Sequence, residues 1–441
     1  MKKVLLLCLV LLGGVLQTNA ATKRIYVKTD GNWMQYCGGK TYLYVWEDGQ
    51  APLVAWPGTE LTLSKGTYGT WGTGLLYADI ENLPDTKVNF IIDNNNSWQT
   101  GNCTGTLDNN TTLYWYSSSG SGNTYVEVMP DAWYFVSWTS STENNRTATE
   151  LTTENGFSVD VDVPTESVYC CIAPTIALSH DKKTIDFWDE TYLPKETVGN
   201  YAIWAFNTYT GEFDKTNSNC WEFQTWVGAK SKFSADLEAK TFTVTPYRTA
   251  TIGPAGYITY SNGEKCVVSG AKAYTVSANN TSSVTMTEMA AETVWPESAG
   301  MILGGSNGDE VTISAVASDA TTSEIGDNLL KGTGNSTATP DKENVYVFSW
   351  NGSDPSTVGF YKASGNGELA AHKAYLDLST AGAKTADFLS FDFGGETTSI
   401  NSIENGELRV ENYDYHNLAG QKVNKDYKGI VIVNGKKYLR K

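Results

Sequence analysis

The sequence predicts an all-β chain, built as several β-sandwich domains and closed by a hairpin-like tail. Three observations carry that expectation. Charged residues make up only 18% of the 441, while aromatics reach 12% with 25 Tyr and 14 Trp, and there are 53 Thr. Such side chains suit half-buried pleated surfaces, whereas helices are built from Ala, Leu, Glu, Lys and Arg. Short segments that alternate or run apolar are separated by Gly, Pro, Asn and Asp clusters, and helical periodicity is almost absent. The length is enough for two to four domains, each with its own core.

From the N-terminus, Lys2 and Lys3 precede an apolar run from Val4 to Leu16 and then small or polar residues ending at Ala20. This pattern predicts a secretory signal peptide over 1–20, cleaved near Ala20 and too short to span a membrane as a mature helix. Cys8 lies inside the apolar stretch rather than at its end, which argues against a lipoprotein cysteine. No other apolar run has transmembrane length, so the mature chain is expected to be exported, at the cell surface or outside it. Six cysteines then remain, Cys37, Cys103, Cys170, Cys171, Cys220 and Cys266. Cys37 with Cys103 is the favoured disulfide because both fall in the first domain; buried thiols are the alternative.

The first domain is expected at 22–128, from RIYVKT, TYLYVWE, KVNFIID and TLYWY to YVEVMP, with SSSGSGN at 117–123 as a linker or loop. A second β domain, of unassigned role, runs over 132–248 from AWYFVSW through FSVDVDVP, SVYCCIAP and YAIWAFNTY to KTFTVTPYR. A third occupies 249–397, from GYITYS to HKAYLDL. The tail, 398–441, differs in charge: eight Lys or Arg against five Asp or Glu give +3 on a chain whose net charge is -17. A basic appendage on an acidic body reads as a separate signal or contact surface, with a surface strand pair as the plainer alternative.

The acidic net charge repels phosphate backbones and anionic lipid, so nucleic acid is not an expected partner. His180, His372 and His416 are far apart and lack metal-ligand spacing, which disfavours zinc chemistry. Among carboxylates, DFWDE offers Asp186, Asp189 and Glu190 for a β-sandwich glycosidase, against the alternative of a solvated turn. Asp160 and Asp162 on the outer face of a strand give a weak signal for calcium. No strand–helix alternation for a (β/α)8 hydrolase is present. No catalytic or metal-binding residue is assigned, no cofactor is expected, and enzymatic activity stays open with a non-catalytic role preferred.

The first domain carries the chemical signal. If TYLYVW is a strand, period-two alternation puts Tyr42, Tyr44 and Trp46 on one face, and Trp56 arrives after a short connection. A flat ring packs against the apolar face of a pyranose while amides and carboxylates bond its hydroxyls. NNNSWQT supplies such amides, with Trp98 and Gln99 at its end. For any single ring, core packing between sheets is the competing role. The combination is what favours a sugar site.

YLYVWEDGQAPLVAWPG followed by VNFIIDNNNSWQTGN resembles carbohydrate-binding module family 26, a family of starch-binding modules. The resemblance covers the first domain and implies a β-sandwich that binds α-glucans through two tyrosines and a tryptophan. Carried over, these are Tyr42 or Tyr44 and Trp56, with Gln99 as a hydroxyl partner; Trp46 is assigned to the site or to the core. The stretch SKGTYGTWGTGLLYADIENLPDTK is longer and more aromatic than that family leads one to expect. The third domain, through GPAGYITYS, PESAGMILGG and VGFYKASGNGELAAHKAYLDL, resembles a β-rich domain common in Bacteroidales surface and exported proteins, and Lys373 and Tyr375 within it read as structural. YDYHNLAGQKVNKDYKGIVIVNGKKYLRK is similar to a short, degenerate type IX secretion sorting sequence, with a hairpin turn at Asn434 and Gly435; the last hairpin of the preceding domain is the alternative.

The expected function is therefore that of an exported, non-catalytic protein that holds starch or another α-glucan at the cell surface, near separate surface hydrolases. The alternatives are a structural or adhesive surface protein without a sugar site, and a β-sandwich glycosidase with a targeting module.

Overall fold

The structure is a computed structural model. It describes residues 22–393 except 30–38, 68–72, 97, 118–123, 165, 187–195, 199–202, 207–218, 224–225, 240, 280–281, 318, 341–342, 353, 366 and 380–385, together with 401–402, 415–417, 421–424, 429–433 and 436–440 of the tail. The expected signal peptide, Cys37, most of the serine–glycine segment, Asp189, Glu190 and the Asn434–Gly435 turn lie outside the described residues.

The chain is all-β. Among the described residues, regular structure other than strand is confined to three short 3-10 turns, Ser140–Thr142, Thr175–Ala177 and Pro355–Thr357. No helix among them is long and apolar enough to cross a membrane. Two compact units divide at 244/245.

The first unit opens with β1 (Lys23–Thr29), β2 (Tyr42–Trp46), β3 (Thr59–Glu60), β4 (Thr62–Lys65), β5 (Gly74–Ile80), β6 (Lys87–Asp93), β7 (Cys103–Thr106), β8 (Thr112–Ser117) and β9 (Thr124–Met129). They form two sheets, ordered β4-β5-β1-β8-β9 and β3-β2-β6-β7. Alternation along each strand sends one set of apolar residues inward. Ile25 and Val27, Leu43 and Val45, Leu76 and Ala78, Phe90 and Ile92, and Leu113 and Trp115 meet there in one buried cluster.

A second layered domain follows, with β10 (Trp133–Thr139), β11 (Thr147–Leu151), β12 (Ser158–Asp162), β13 (Val168–Pro174), β14 (Glu196–Val198), β15 (Ile203–Phe206), β16 (Cys220–Phe223), β17 (Lys230–Asp236) and β18 (Thr241–Thr251). The sheet β11-β10-β13-β16-β15 is apolar on both faces. One face buries Phe135, Ile172 and Phe223 against Phe233 and Val244. The other buries Val136, Trp138 and Cys171 beneath the segment 175–186, whose Leu178 and Ile185 pair with each other and join that core.

The segment 175–186 also fastens this domain to the first sandwich. The Lys28 ammonium, fully buried, donates to the Leu178 carbonyl at 2.8 Å and lies 2.6 Å from the Asp186 carboxylate. The His180 ring stacks on Tyr116 with centroids 3.8 Å apart and planes 9° from parallel. Asp186 is therefore the counter-ion of a buried lysine, which corrects both the solvated-turn and the catalytic reading of that residue. Asp160 and Asp162 point outward on β12 as expected, but the register sets them opposite Lys232 and Lys230. Each carboxylate therefore has a lysine as its cross-strand neighbour rather than a further acidic ligand.

In the second unit, the end of β18 (Tyr247–Thr251) pairs with β24 (Glu310–Ala315), which also pairs with β20 (Cys266–Ser269). The other strands are β19 (Tyr257–Ser261), β21 (Lys272–Asn279), β22 (Ser283–Glu288), β23 (Gly300–Gly304), β25 (Leu330–Gly332), β26 (Val345–Ser349), β27 (Gly359–Lys362), β28 (Ala374–Asp377) and β29 (Phe388–Asp392), in one sheet of order β19-β23-β21-β22-β29-β27-β26-β28-β25. The two ends of this sheet meet through the Ala299–Lys331 bridge, around a core that includes Val276, Tyr346, Phe360 and Leu389. Gly300 permits that closure, since a Cβ there would sit 2.8 Å from Leu330 Cβ. Lys373 and Tyr375 are structural, the Lys373 carbonyl accepting from Ser261 and Thr333. The tail forms its own sheet, in which Gly429–Val433 and Lys436–Arg440 pair as an antiparallel hairpin.

Candidate functional site

Strand β2 is where the sequence's aromatic signal lands. Its burial alternates, with Leu43 and Val45 in the core and Tyr42, Tyr44 and Trp46 half-buried on the outward face. Trp46 thus belongs to the outer face and not to the core. Its ring lies 5.3 Å from that of Tyr44.

The connection from Glu47 to Gly58 folds back along the edge of β2. Leu53 donates its amide to the Val45 carbonyl, and Gly58 donates to the Ala55 carbonyl. Gly58 has φ +104°, and a Cβ there would come within 2.5 Å of the Leu43 carbonyl oxygen, so only glycine lets the returning chain lie this close to β2. The turn delivers Trp56 edge-on to Tyr44, with centroids 5.2 Å apart at 68°. Trp56 keeps 49% of its surface exposed and Val54 beside it 44%, two of the five large apolar side chains that stand this open among the described residues.

Polar groups border the rings in rows set by strand register. Tyr42 lies opposite Glu60 on β3 and Asp93 on β6, and Asp93 is bridged in turn to Gln99. The row Glu60, Tyr42, Asp93, Gln99 therefore shares one face, with Gln99 exposed at its end. The row below places Asn89 opposite Trp46, and Asn89 donates to Asp48 at 2.6 Å. All five residues expected at the site, Tyr42, Tyr44, Trp46, Trp56 and Gln99, therefore belong to one outward face, but two other residues of the NNNSWQT segment do not serve it. Trp98 turns toward the core and stacks on Trp115 at 4.2 Å. The Asn94 side chain serves the turn, accepting from the Trp98 and Asn96 amides.

Sequence reasoning missed Asp93. It is 1% exposed; one carboxylate oxygen accepts from the Asn95 amide, and the other has no hydrogen-bond partner among the described residues. Burial pushes its pKa up, against the opposing effect of the Asn95 amide. Once β2 and β6 are aligned from their apolar alternation, Asp93 falls opposite Tyr42, and that alignment was the available signal.

Chemically this face offers a shallow set of rings with carboxylate and amide edges. It suits a ligand with apolar C–H faces and peripheral hydroxyls. Among the described residues no group of three His, Cys, Asp or Glu could hold a metal ion. Comparison of the chain with known protein families, with curated proteins and with solved structures gave no match.

Proposed function

We propose that this chain is an exported, non-catalytic carbohydrate-binding protein that retains starch or another α-glucan through the outward face of β2. The observation that carries the reading is Trp56: an indole held half open above Tyr44 by a turn that only glycine at position 58 permits. An exposed large ring next to two others is costly in water unless something covers it, and a pyranose face is a ligand of matching shape and chemistry. Trp46 at 5.3 Å from Tyr44 extends the platform, and Gln99 in the Tyr42 row supplies a hydroxyl partner. The resemblance of residues 42–102 to starch-binding modules points the same way. The leader-like N-terminus and the basic tail support export to the cell surface, where hydrolases on separate chains would act on the retained polymer.

The test is native electrophoresis of the purified mature protein with and without amylopectin, combined with an assay for reducing-sugar release. Retardation without release is the expected result. No retardation would favour an adhesive or structural surface protein, and release would favour a glycosidase. For export, replacing the tail from Tyr413 onward with a neutral linker should leave folded protein in the periplasm; normal surface display of that variant would remove the tail from the proposal.

A further inference from the structure

The second domain buries three thiols, Cys170, Cys171 and Cys220, and none belongs to the aromatic face. Cys170 and Cys171 are consecutive in β13, so alternation sends them to opposite sides of the sheet. Cys170 packs with Phe135 and Phe223, whereas Cys171 packs with Val136, Trp138, Leu178 and Cys220. The antiparallel ladder between β13 and β16 sets Val168 opposite Phe223, Tyr169 opposite Glu222 and Cys170 opposite Trp221. One residue further, the same register brings Cys171 opposite Cys220, on the same face of neighbouring strands. Directly opposed residues of an antiparallel pair have Cα atoms roughly 4.5 to 5.5 Å apart, inside the roughly 4.4 to 6.8 Å that a disulfide spans.

We propose that Cys171 and Cys220 form an oxidation site, joining as a cross-strand disulfide between β13 and β16 when the chain folds in an oxidising compartment. The compartment follows from the proposed export; the geometry does not depend on it. The oxidant is a disulfide donor. The thiolate of one cysteine attacks a donor sulfur to give a mixed disulfide, and the second thiolate then attacks the protein sulfur of that bond. The donor's two sulfurs leave as thiols carrying the two electrons, and the two protons lost by the protein thiols balance those the donor gains.

Burial fixes when this happens. Packing pushes the Cys171 thiol up to about 12, partly opposed by Arg146, and raises that of Cys220 as well. Thiolate is scarce once the cluster has closed, so the bond belongs to the folding reaction. Cys171 stands in β13 just before the segment 175–186 that fastens this domain to the first sandwich, and Cys220 begins β16. A bond here removes the freedom of a loop of about 50 residues from the unfolded chain.

Purified mature protein should be refolded in a glutathione redox buffer, alkylated while denatured without reductant, digested and mapped by mass spectrometry. The expected product links the Cys171 peptide to the Cys220 peptide. The link should survive Cys170→Ser and disappear in both Cys171→Ser and Cys220→Ser, and reductant should lower Tm by roughly 5 to 15 °C. Alkylation of both Cys171 and Cys220 in the oxidised wild type would overturn the proposal. So would a link that persists in Cys171→Ser, or a bridge found only at Cys170–Cys171 or Cys37–Cys103. No sugar enters this experiment, so its failure is distinct from a failure of α-glucan binding.

Discussion

The two sheets of the first sandwich each turn a row of rings away from their shared core. On one sheet these are Tyr42, Tyr44 and Trp46, joined by Trp56; on the other, β1 carries Tyr26, β5 carries Tyr77, β8 carries Tyr114 and Tyr116, and β9 carries Tyr125. Their compositions are alike and their fates differ. The segment 175–186 lies on the second row, burying Tyr114 to 5% exposure and seating His180 on Tyr116, with the Lys28–Asp186 pair beneath. Trp56, by contrast, keeps 49% of its surface exposed. One aromatic outward face is therefore covered by the protein itself, while the other stays open and is the face to which the proposal assigns the glucan.

The largest effect in this comparison should come from opening the filled face. Asp186→Ala takes the carboxylate away from the buried Lys28 ammonium, which keeps the Leu178 carbonyl and its place over the Tyr114 ring. It should cost about 2 to 3 kcal/mol, below the roughly 3 to 5 of a fully enclosed pair because Asp186 is 29% exposed. Lys28→Met should cost far less, since it removes the charge together with its desolvation. Desolvation lowers the Lys28 pKa against the pull of Asp186, so the unfolded chain holds this proton more tightly. The contribution to stability should therefore rise as pH climbs through the lowered value toward the ordinary 10.5. Denaturant unfolding of both variants checks the order; equal losses would mean that the pair does not fasten this face.

On the open face the effect should move from stability to binding. Trp56→Ala is expected to weaken amylopectin retention by at least tenfold, about 1.4 kcal/mol, while unfolding changes by less than about 0.5 kcal/mol because the ring is half in water. Affinity electrophoresis alongside thermal melting separates the two quantities. A loss of roughly 3 to 5 kcal/mol in stability would instead make Trp56 a packing residue like Trp115.

Asp93 sharpens the comparison from below the rings. Its folded pKa is raised by burial, so the native state binds the proton more tightly than the unfolded chain. That costs stability above the raised value, and the cost disappears as pH falls below the ordinary carboxylate range. Asp93→Asn should accordingly stabilise the protein at pH 7 by about 1 kcal/mol, with the gain shrinking in acid. Melting curves across that pH range would refute this if the gain grew on acidification.

The smallest effect is expected at the rim of the filled face. Tyr125 is 44% exposed and stacks on Tyr116, which His180 already covers from elsewhere in the fold. Tyr125→Ala should leave amylopectin retention unchanged and stability within about 0.5 kcal/mol. A measurable loss of retention would mean that both faces of the sandwich take sugar.

The sequence by itself determined the strands, because a period of two is a local property: Leu43 and Val45 inward and Tyr42, Tyr44 and Trp46 outward follow from composition and alternation alone. It also determined that Trp56 would return near β2, since a turn rich in Pro and Gly leaves the chain little reach. What it could not determine is which outward rings remain outward. Tyr114 alternates just as Tyr44 does, and only a segment more than 60 positions further along the chain buries it. The same limit hid the roles of Asp186, Trp98 and Asp93. Each is a charge or ring whose surroundings come from other strands, and burial, counter-ions and register are set by contacts distant in sequence, which alternation along one segment does not encode.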